Sequence, residues 1–116
     1  MTEIEGLKEI MEEAIANSFW ATRPVEKEPE ISLVRWQIME IGGKRHFVGY
    51  NESWMEGRIS SEIVTFDEKS KKGVTKTGRV YQLVGESSMD RDAHYVLGEW
   101  LYRNDLKWDD VQWRIV

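Results

Sequence analysis

Histidine and aspartate are the residues of this 116-residue chain best suited to metal or acid–base chemistry. Asp90, Asp92 and His94 fall within one predicted helix, but Asp92 and His94 are about 200° apart around its axis, so the three side chains cannot converge on one ion. His46 belongs to a predicted strand, and the absence of cysteine excludes thiolate zinc sites. We therefore expect no metal and no cofactor, and we interpret the aspartates as helix caps beside a surface histidine.

Serine nucleophiles and phosphate loops are not indicated either. Ser60 and Ser61 interrupt a predicted strand, lack the Gly-x-Ser-x-Gly pattern of a nucleophile elbow, and are interpreted as an exposed strand face or a bulge. Gly42-Gly43 lacks the Lys-Ser/Thr and the following helix that a P-loop requires, so it is interpreted as a turn. The sequence predicts no catalytic residue, and we expect a protein that is not an enzyme.

Two arginines are the best candidates for binding an anion. Arg58 and Arg79 each follow a glycine at the start of a predicted strand, which is expected to bring both to one edge of the sheet. Together with Tyr81 and His46, the two guanidinium groups are suited to hold an acidic partner, a nucleotide or a phosphorylated metabolite. The alternative is that they form surface ion pairs of little consequence. The acidic side chains available for such pairs are Glu62, Asp67 and Glu86.

A basic hairpin at residues 69–79 keeps nucleic acid open as a second alternative. Its lysines would contact phosphates, and Tyr81 would stack on a base. Asp67 and Glu68 dilute the positive charge, and a charged hairpin tip is usually solvated, so nucleic acid is disfavoured as a partner. The basic side chains of this hairpin are Lys69, Lys71, Lys72, Lys76 and Arg79.

The first thirty residues carry the whole formal net charge of −5, because they hold eight glutamates against three basic residues. Thr2 and Glu5 form a capping box, and an apolar stripe at three-and-four spacing predicts an amphipathic helix over residues 3–19. Its charge is expected to attract a host protein with a basic surface and to repel nucleic acid. The glutamates off the stripe, which are expected to contact the partner, are Glu9, Glu12 and Glu13.

Six tryptophans are an unusually high number for a chain of this length. Trp36, Trp100 and Trp113 fall on apolar stripes and are predicted to be core. The other three belong to no periodic pattern. Exposed tryptophans often anchor protein interfaces, although folding back onto the core is an equal alternative. These partner-binding candidates are Trp20, Trp54 and Trp108.

The periodicity predicts a single α+β domain spanning residues 1–116. An acidic helix over residues 1–20 precedes an extended linker at residues 21–30, and residues 31–116 form the sheet and a second amphipathic helix. Alternating apolar residues predict an antiparallel sheet of about five strands, one of them broken near Gly78. The two helices are expected to lie at the N-terminal and C-terminal ends of the sheet region.

The start of the chain and its composition predict the cellular compartment of the protein. The first twenty residues are acidic, which excludes a signal peptide, and no apolar run approaches the length of a membrane span. Without cysteine there is no disulfide framework. We expect a cytoplasmic protein without a membrane partner, and self-association into a homo-oligomer stays open.

Three strings resemble a group of small uncharacterised proteins from bacterial, phage and plasmid genomes. GRISSEIVTFD (57–67), TKTGRVYQLVGE (75–86) and DRDAHYVLGEW (90–100) carry the resemblance, which covers about residues 33–102. Its most specific part is Gly-Arg-Val-Tyr-x-Leu-x-Gly followed by Asp-x-Asp-Ala-x-Tyr-Val. The resemblance implies an origin in a mobile element, and it implies no assigned activity.

These observations favour a non-enzymatic binding protein of a phage or other mobile element. Such a protein would act as an inhibitor by occupying the surface of a host protein, for example a component of a defence system such as CRISPR. The alternatives are a small-ligand binder at the two arginines and a nucleic-acid binder at the basic hairpin. The first hypothesis predicts that charge reversal of the three glutamates in the acidic helix abolishes capture of the partner. The second predicts a deep concave site near Arg58, Arg79, Tyr81 and His46, and the third predicts salt-sensitive binding of DNA or RNA to the hairpin.

Overall fold

Residues 23–115 are described by the computed structural model, and they form an α+β arrangement of seven strands and one α-helix. The α+β class is confirmed, whereas the prediction of about five strands, all antiparallel, is wrong. The predicted helix at residues 1–20 lies outside the described residues. In chain order the elements are β1 (Glu30–Ile41), β2 (Lys44–Asn51), β3 (Glu56–Ile59), β4 (Ile63–Asp67), β5 (Lys72–Thr75), β6 (Val80–Leu83), α1 (Arg91–Arg103), a 3-10 turn (Trp108–Asp110) and β7 (Gln112–Arg114).

The strands form a mixed sheet in the order β3-β2-β1-β6-β5-β4, with β7 beside the second half of β1. Neighbouring strands are antiparallel except β1 and β6, which run parallel with Glu30 opposite Val80. The strand number exceeds the predicted five because two predicted strands each divide. Residues 60–62 separate β3 from β4, and the turn at Gly78, with a φ of 87°, separates β5 from β6. The predicted break near Gly78 is therefore confirmed.

The long strand β1 joins the two halves of the sheet. Its first residues pair with β6, and from Gln37 onward it pairs with β2 on one side and, near its end, with β7. A bulge between Val34 and Gln37 makes the change, and Arg35 there has a positive φ of 43°. Because a bulge increases the local twist of a strand, the sheet can fold over one face of the second half of β1, while α1 covers the other face.

Two hydrophobic cores lie on opposite faces of β1 and β2. On one face, Met39 and Ile59 pack against the apolar stripe of α1. On the other face, the folded sheet encloses a second core around Phe47. Trp36 belongs to the second core and Trp100 to the first, so both are buried as predicted. The stripe of α1 consists of Ala93, Val96, Leu97, Trp100 and Leu101, as its spacing predicted.

The start of α1 is set by Asp90. One carboxylate oxygen, Oδ2, accepts a hydrogen bond from the backbone N–H of Ala93 at 2.9 Å, which confirms the predicted cap. Gly57 allows β3 to lie directly against the first turn of α1, because a side-chain carbon at this position would overlap the backbone of Asp92 and Ala93. This close approach fixes the loop before β3 next to the helix.

The predicted linker at residues 21–30 is compact rather than extended over its described part. The carbonyl of Pro24 accepts hydrogen bonds from the amides of Lys27 at 3.0 Å and Glu28 at 2.9 Å. Pro24 therefore precedes a hydrogen-bonded turn over residues 25–27 instead of an extended stretch. β1 then begins at Glu30.

Candidate partner-binding site

Arg58 is an interior residue of β3, with 1% of its surface exposed. Its Nε donates a hydrogen bond to the hydroxyl of Tyr81 at 2.9 Å, and its Nη1 donates to Oε1 of Glu56 at 3.3 Å. The expected surface position of Arg58 is therefore wrong, because its side chain is buried against the ring and hydroxyl of Tyr81 and the carboxylate of Glu56. Glu56 is a partner that was not among the acidic side chains considered for Arg58 in the sequence.

Arg79 is buried as well, and its guanidinium reaches the backbone of the segment before β1. Its Nε donates to the carbonyl of Glu28 at 3.0 Å, and its Nη2 donates to the carbonyl of Arg23 at 2.6 Å. The next amide, that of Val80, donates to the carbonyl of Pro29 at 2.8 Å, where the parallel pairing of β6 with β1 begins. Arg79 therefore extends the contact between β6 and β1 to residues that precede β1. Its side chain is buried and does not lie at the surface.

Arg23 completes the group from the N-terminal side. Its Nε donates to Oε2 of Glu28 at 2.9 Å, and its Nη2 pairs with Oε1 of Glu56. Because Glu56 Oε1 also accepts from Arg58, one carboxylate connects two guanidinium groups from distant parts of the chain. We refer to this group as the arginine cluster, and its members are Arg23, Glu28, Glu56, Arg58, Arg79 and Tyr81.

The loop of residues 52–55, which we call the Trp54 loop, contacts the arginine cluster. The guanidinium carbon of Arg23 is 4.0 Å from the ring centroid of Trp54, a close cation–π contact. Trp54 is still 52% exposed, and its neighbour Met55 is more exposed. The ring is therefore held in place by a charged group while the loop presents apolar surface to solvent, as an interface anchor requires.

The remaining candidates from the sequence lie elsewhere. Trp108 is 48% exposed, but it belongs to a different surface. Arg58, Arg79 and Tyr81 are interior residues that support Arg23 and, through it, Trp54. The predicted partner-binding residues outside the described part of the chain are Glu9, Glu12, Glu13 and Trp20.

A second exposed surface, which we call the aromatic face, consists of the rings of His94, Trp108 and Trp113. The His94 ring stacks on Trp113 with centroids 5.2 Å apart and planes 7° apart, and on Trp108 at 5.6 Å and 30°. Nε2 of His94 lies 2.7 Å from Oε1 of Gln37 on β1, which orients the ring. Burial lowers the pKa of His94, and the carboxylate of Asp90 opposes this shift.

Trp113 is 38% exposed, so the prediction that it is core is wrong. It lies on the helix side of its strand, opposite Met39 of β1, as the alternation requires. However, β7 has only three residues and lies at the border of the described sheet. The alternation indicates which side of a strand a residue faces, but it does not indicate how far that strand is from the edge of the core.

The small-ligand alternative requires a pocket near Arg58, Arg79, Tyr81 and His46. The first three side chains are buried and hydrogen-bonded to other parts of the protein. Among the described residues, an open depression of about 950 Å³ lies at the start of α1, and another of about 260 Å³ is lined by His46. Neither of these depressions is lined by the arginines or by Tyr81, so they do not support a ligand site that joins all four residues.

The serines considered as nucleophiles are structural. Ser60 is buried, and its hydroxyl accepts a hydrogen bond from the amide of Phe47 at 2.8 Å and donates to the carbonyl of Ser61 at 2.7 Å. The two serines are therefore not on an exposed strand face, because they close the corner between β3 and β4. Within residues 23–115, no group of three or more histidine and carboxylate side chains is arranged to hold a metal ion. No helix in this range is long and apolar enough to cross a membrane.

Two lysines of the basic hairpin form ion pairs with carboxylates of the same protein. Nζ of Lys72 lies 3.4 Å from Oε1 of Glu30, and Nζ of Lys76 lies 3.1 Å from Oε1 of Glu62. Arg79, which the sequence grouped with these lysines, is in the interior. Lys72 and Lys76 therefore share their charge with carboxylates of the same protein, which weakens the nucleic-acid hypothesis.

Comparison with known proteins adds no identity. No family model matches the sequence, and no curated protein or solved structure matches it significantly. The resemblance to small proteins of bacterial, phage and plasmid genomes therefore stays a prediction, and the candidate site is defined by its geometry.

Proposed function

We propose that this chain is a non-enzymatic binding protein that recognises a basic surface of a partner protein with its acidic segment, residues 1–20, and the Trp54 loop. The observation that carries the proposal is the contact of Arg23 with Trp54, at 4.0 Å between guanidinium carbon and ring centroid. Arg23 follows shortly after the acidic segment in the sequence, and it contacts a tryptophan that is exposed to solvent.

Negative charge and an exposed tryptophan serve different stages of protein association. Clustered glutamates attract a positively charged partner over a distance and accelerate the encounter. Tryptophan supplies apolar area and a ring face that binds lysine or arginine, and it is among the residues most often found at interface hot spots. Met55 and Glu52, in the same loop, add apolar surface and one more carboxylate.

The biological setting of the proposal follows from the sequence resemblance. A mobile-element origin makes the partner a host protein. An acidic segment can compete with nucleic acid for a basic channel, because both carry negative charge. We therefore propose inhibition of a cytoplasmic host defence component, such as a CRISPR effector, as the biological role.

Neutralisation of the acidic segment tests the proposal once affinity purification from the host has supplied the partner. Replacing Glu9, Glu12 and Glu13 by glutamine in one variant should lower the association rate about tenfold or more at low salt. Replacing Trp54 by alanine should weaken binding about thirtyfold, the effect of losing a hot-spot residue. Association and dissociation rates are measured at several salt concentrations.

A matched control variant distinguishes the effect of charge in the acidic segment from the effect of the net charge of the protein. Glu68→Gln, Glu86→Gln and Asp105→Asn together change the net charge by the same amount at exposed positions away from the Trp54 loop. Asparagine tolerates the positive φ of 56° at Asp105. This variant should bind as the natural protein does, and equal loss in both triple variants would contradict the proposal.

A further inference from the structure

We propose that the chain forms a homodimer in which β7 pairs with β7 of a second copy. The two strands run antiparallel, and the two-fold axis that relates the copies passes between the two Trp113 residues. This self-association is independent of the proposed function, because it involves the edge of the sheet at β7 and not the Trp54 loop.

The strand β7 (Gln112–Arg114) has one paired edge and one open edge among the described residues. Its paired edge contacts β1 in antiparallel orientation, with Trp113 opposite Met39. Within residues 23–115, no strand pairs with the other edge, and all three residues of β7 are exposed. The backbone N–H and C=O groups of such an edge are a template for pairing with another extended chain.

The alternation of side chains makes β7 and its two flanking residues complementary to a second copy. Val111, Trp113 and Ile115 share the helix side of the strand, and Val111 has an extended backbone. When Trp113 lies opposite Trp113 of the other copy, Val111 lies opposite Ile115. On the other side of the strand, Gln112 then lies opposite Arg114. Apolar residues meet only apolar residues, whereas a shift of register by one residue would place polar and apolar residues opposite each other.

The most exposed apolar side chains at this edge are those that the pairing would bury. Ile115 is fully exposed, and Trp113 is 38% exposed. Removing apolar surface from water is the main favourable contribution to protein association. The ring of Trp113 is already stacked on His94, with the two planes 7° apart, so it loses little freedom when a second copy binds. The dimer would join two aromatic faces into one continuous surface.

The charges at β7 are compatible with an identical partner. Nη2 of Arg114 lies 2.8 Å from Oε2 of Glu40 and donates to Oε1 of Gln112 at 2.9 Å. The positive charge of Arg114 is therefore balanced within one copy, and the residue expected opposite it, Gln112, is uncharged. No like charges face each other across the axis, as a two-fold interface between identical surfaces requires.

The dimer is expected to be weak, because a three-residue strand forms an interface smaller than those of stable complexes. The average mass in sedimentation velocity should rise from that of the monomer towards that of the dimer between about 10 μM and 1 mM protein. Ile115→Lys should keep the protein monomeric over this range, and the monomer should fold normally because the position is fully exposed. The matched control is Val64→Lys, at a 59% exposed position of β4, which should dimerise as the natural protein does.

Single cysteines test the register of the pairing, because the chain has none of its own. Val111→Cys and Ile115→Cys proteins are mixed and treated with oxidised glutathione. Directly opposite residues have Cα atoms about 4.5–5.5 Å apart, which a disulfide spans. Two copies of residue 115 would be four strand residues apart, about 13 Å. Intact mass spectrometry should therefore show the mixed disulfide several times more often than either disulfide between identical variants.

The possible results separate the dimer from the proposed function. A protein that stays monomeric at about 1 mM, or that dimerises equally well with Ile115→Lys, would overturn the dimer. Dimerisation that Val64→Lys abolishes would assign the contact to β4 and would overturn pairing through β7. Mixed and identical disulfides in equal yield would overturn the register. Partner binding lost in the acidic-segment variant, with its dimerisation unchanged, would support both proposals, and a monomer that still binds the partner would overturn the dimer alone.

Discussion

The Trp54 loop and the aromatic face both expose tryptophan, but different interactions hold their rings. Trp54 lies on Arg23, which belongs to a network of charges with little exposure to solvent. Trp108 and Trp113 lie on the ring of His94, whose protonation is disfavoured by burial. One surface is supported by ion pairs, and the other is supported by stacked aromatic rings.

The comparison shows that the exposure of a ring does not reveal what supports it. In the arginine cluster each charge depends on its neighbours, because removing one leaves another buried without compensation. In the aromatic face the contacts are dispersion and ring stacking, and losing one ring removes little beyond its own contribution. Substitutions in the arginine cluster should therefore change the stability of the protein strongly. Substitutions in the aromatic face should change it weakly and affect only nearby residues.

The largest effect is expected from Glu56→Leu in the arginine cluster. This substitution leaves Arg58 and Arg23 without their shared carboxylate, and it should lower the free energy of unfolding by about 3–5 kcal/mol. Urea denaturation measures the change. The control Glu40→Leu removes an ion pair at 2.8 Å between Glu40 and Arg114, which are both at the surface, and should have little effect. Similar losses of stability in the two variants would contradict the expected difference between a buried and an exposed ion pair.

A smaller effect is expected from Trp113→Ala in the aromatic face. The substitution removes the ring that stacks on His94, and it should lower the free energy of unfolding by about 1 kcal/mol. Tyr102→Ala, at a nearly fully exposed position of α1, is the matched control and should leave stability unchanged. A loss as large as that of Glu56→Leu would show that the aromatic face is not locally supported.

Gly98→Ala should stabilise the protein, because glycine inside a helix is unfavourable. The added side-chain carbon would lie 3.5 Å from Cζ2 of Trp108, an ordinary van der Waals contact. We expect a gain of about 0.5–1 kcal/mol in urea denaturation and unchanged signals of the aromatic face. Destabilisation would show that Trp108 is packed more rigidly against α1 than stacking on His94 requires.

The smallest effect concerns pH and is confined to the aromatic face. The pKa of His94 is lowered in the folded protein, so the unfolded chain binds its proton more readily. The resulting stability is fully present above the ordinary histidine pKa of about 6.5 and is lost as pH falls through the lowered folded value. The melting temperature of His94→Gln should therefore fall less than that of the natural protein between pH 7.5 and 5. Parallel curves would contradict this assignment.

Local patterns predicted the parts of the fold that depend on local contacts. The apolar spacing in α1, the cap at Asp90 and the burial of Trp36 and Trp100 all follow from residues close in sequence. The break at Gly78 was predicted. The interruption at Ser60 and Ser61 was predicted only as an exposed face or a bulge within one strand, whereas residues 60–62 separate two strands. The contacts that define the sheet order, above all the parallel pairing of β1 with β6, join distant residues and leave no local pattern.

The candidate site was only partly accessible from the sequence. Trp54 was identified because no pattern placed it in the core, and it is exposed. Arg58 and Arg79 were identified as a pair but expected at the surface, since arginine is rarely buried without compensation. Their compensation comes from Glu56 at the start of β3 and from the backbone carbonyls of Arg23 and Glu28, and neither feature can be read from residue types.

The parallel pairing of β1 with β6 also decides when Arg23 is fixed during protein synthesis. Glu30 pairs with Val80, and the carbonyl of Arg23 is bound by Arg79, so neither contact can form until the ribosome has added about fifty further residues. At roughly 5–20 residues per second, this interval lasts a few seconds. The carbonyl of Arg23 is therefore synthesised well before its partner Arg79, and the first residues of β1 must wait for β6, whereas the second half of β1 can pair with β2 as soon as β2 is translated.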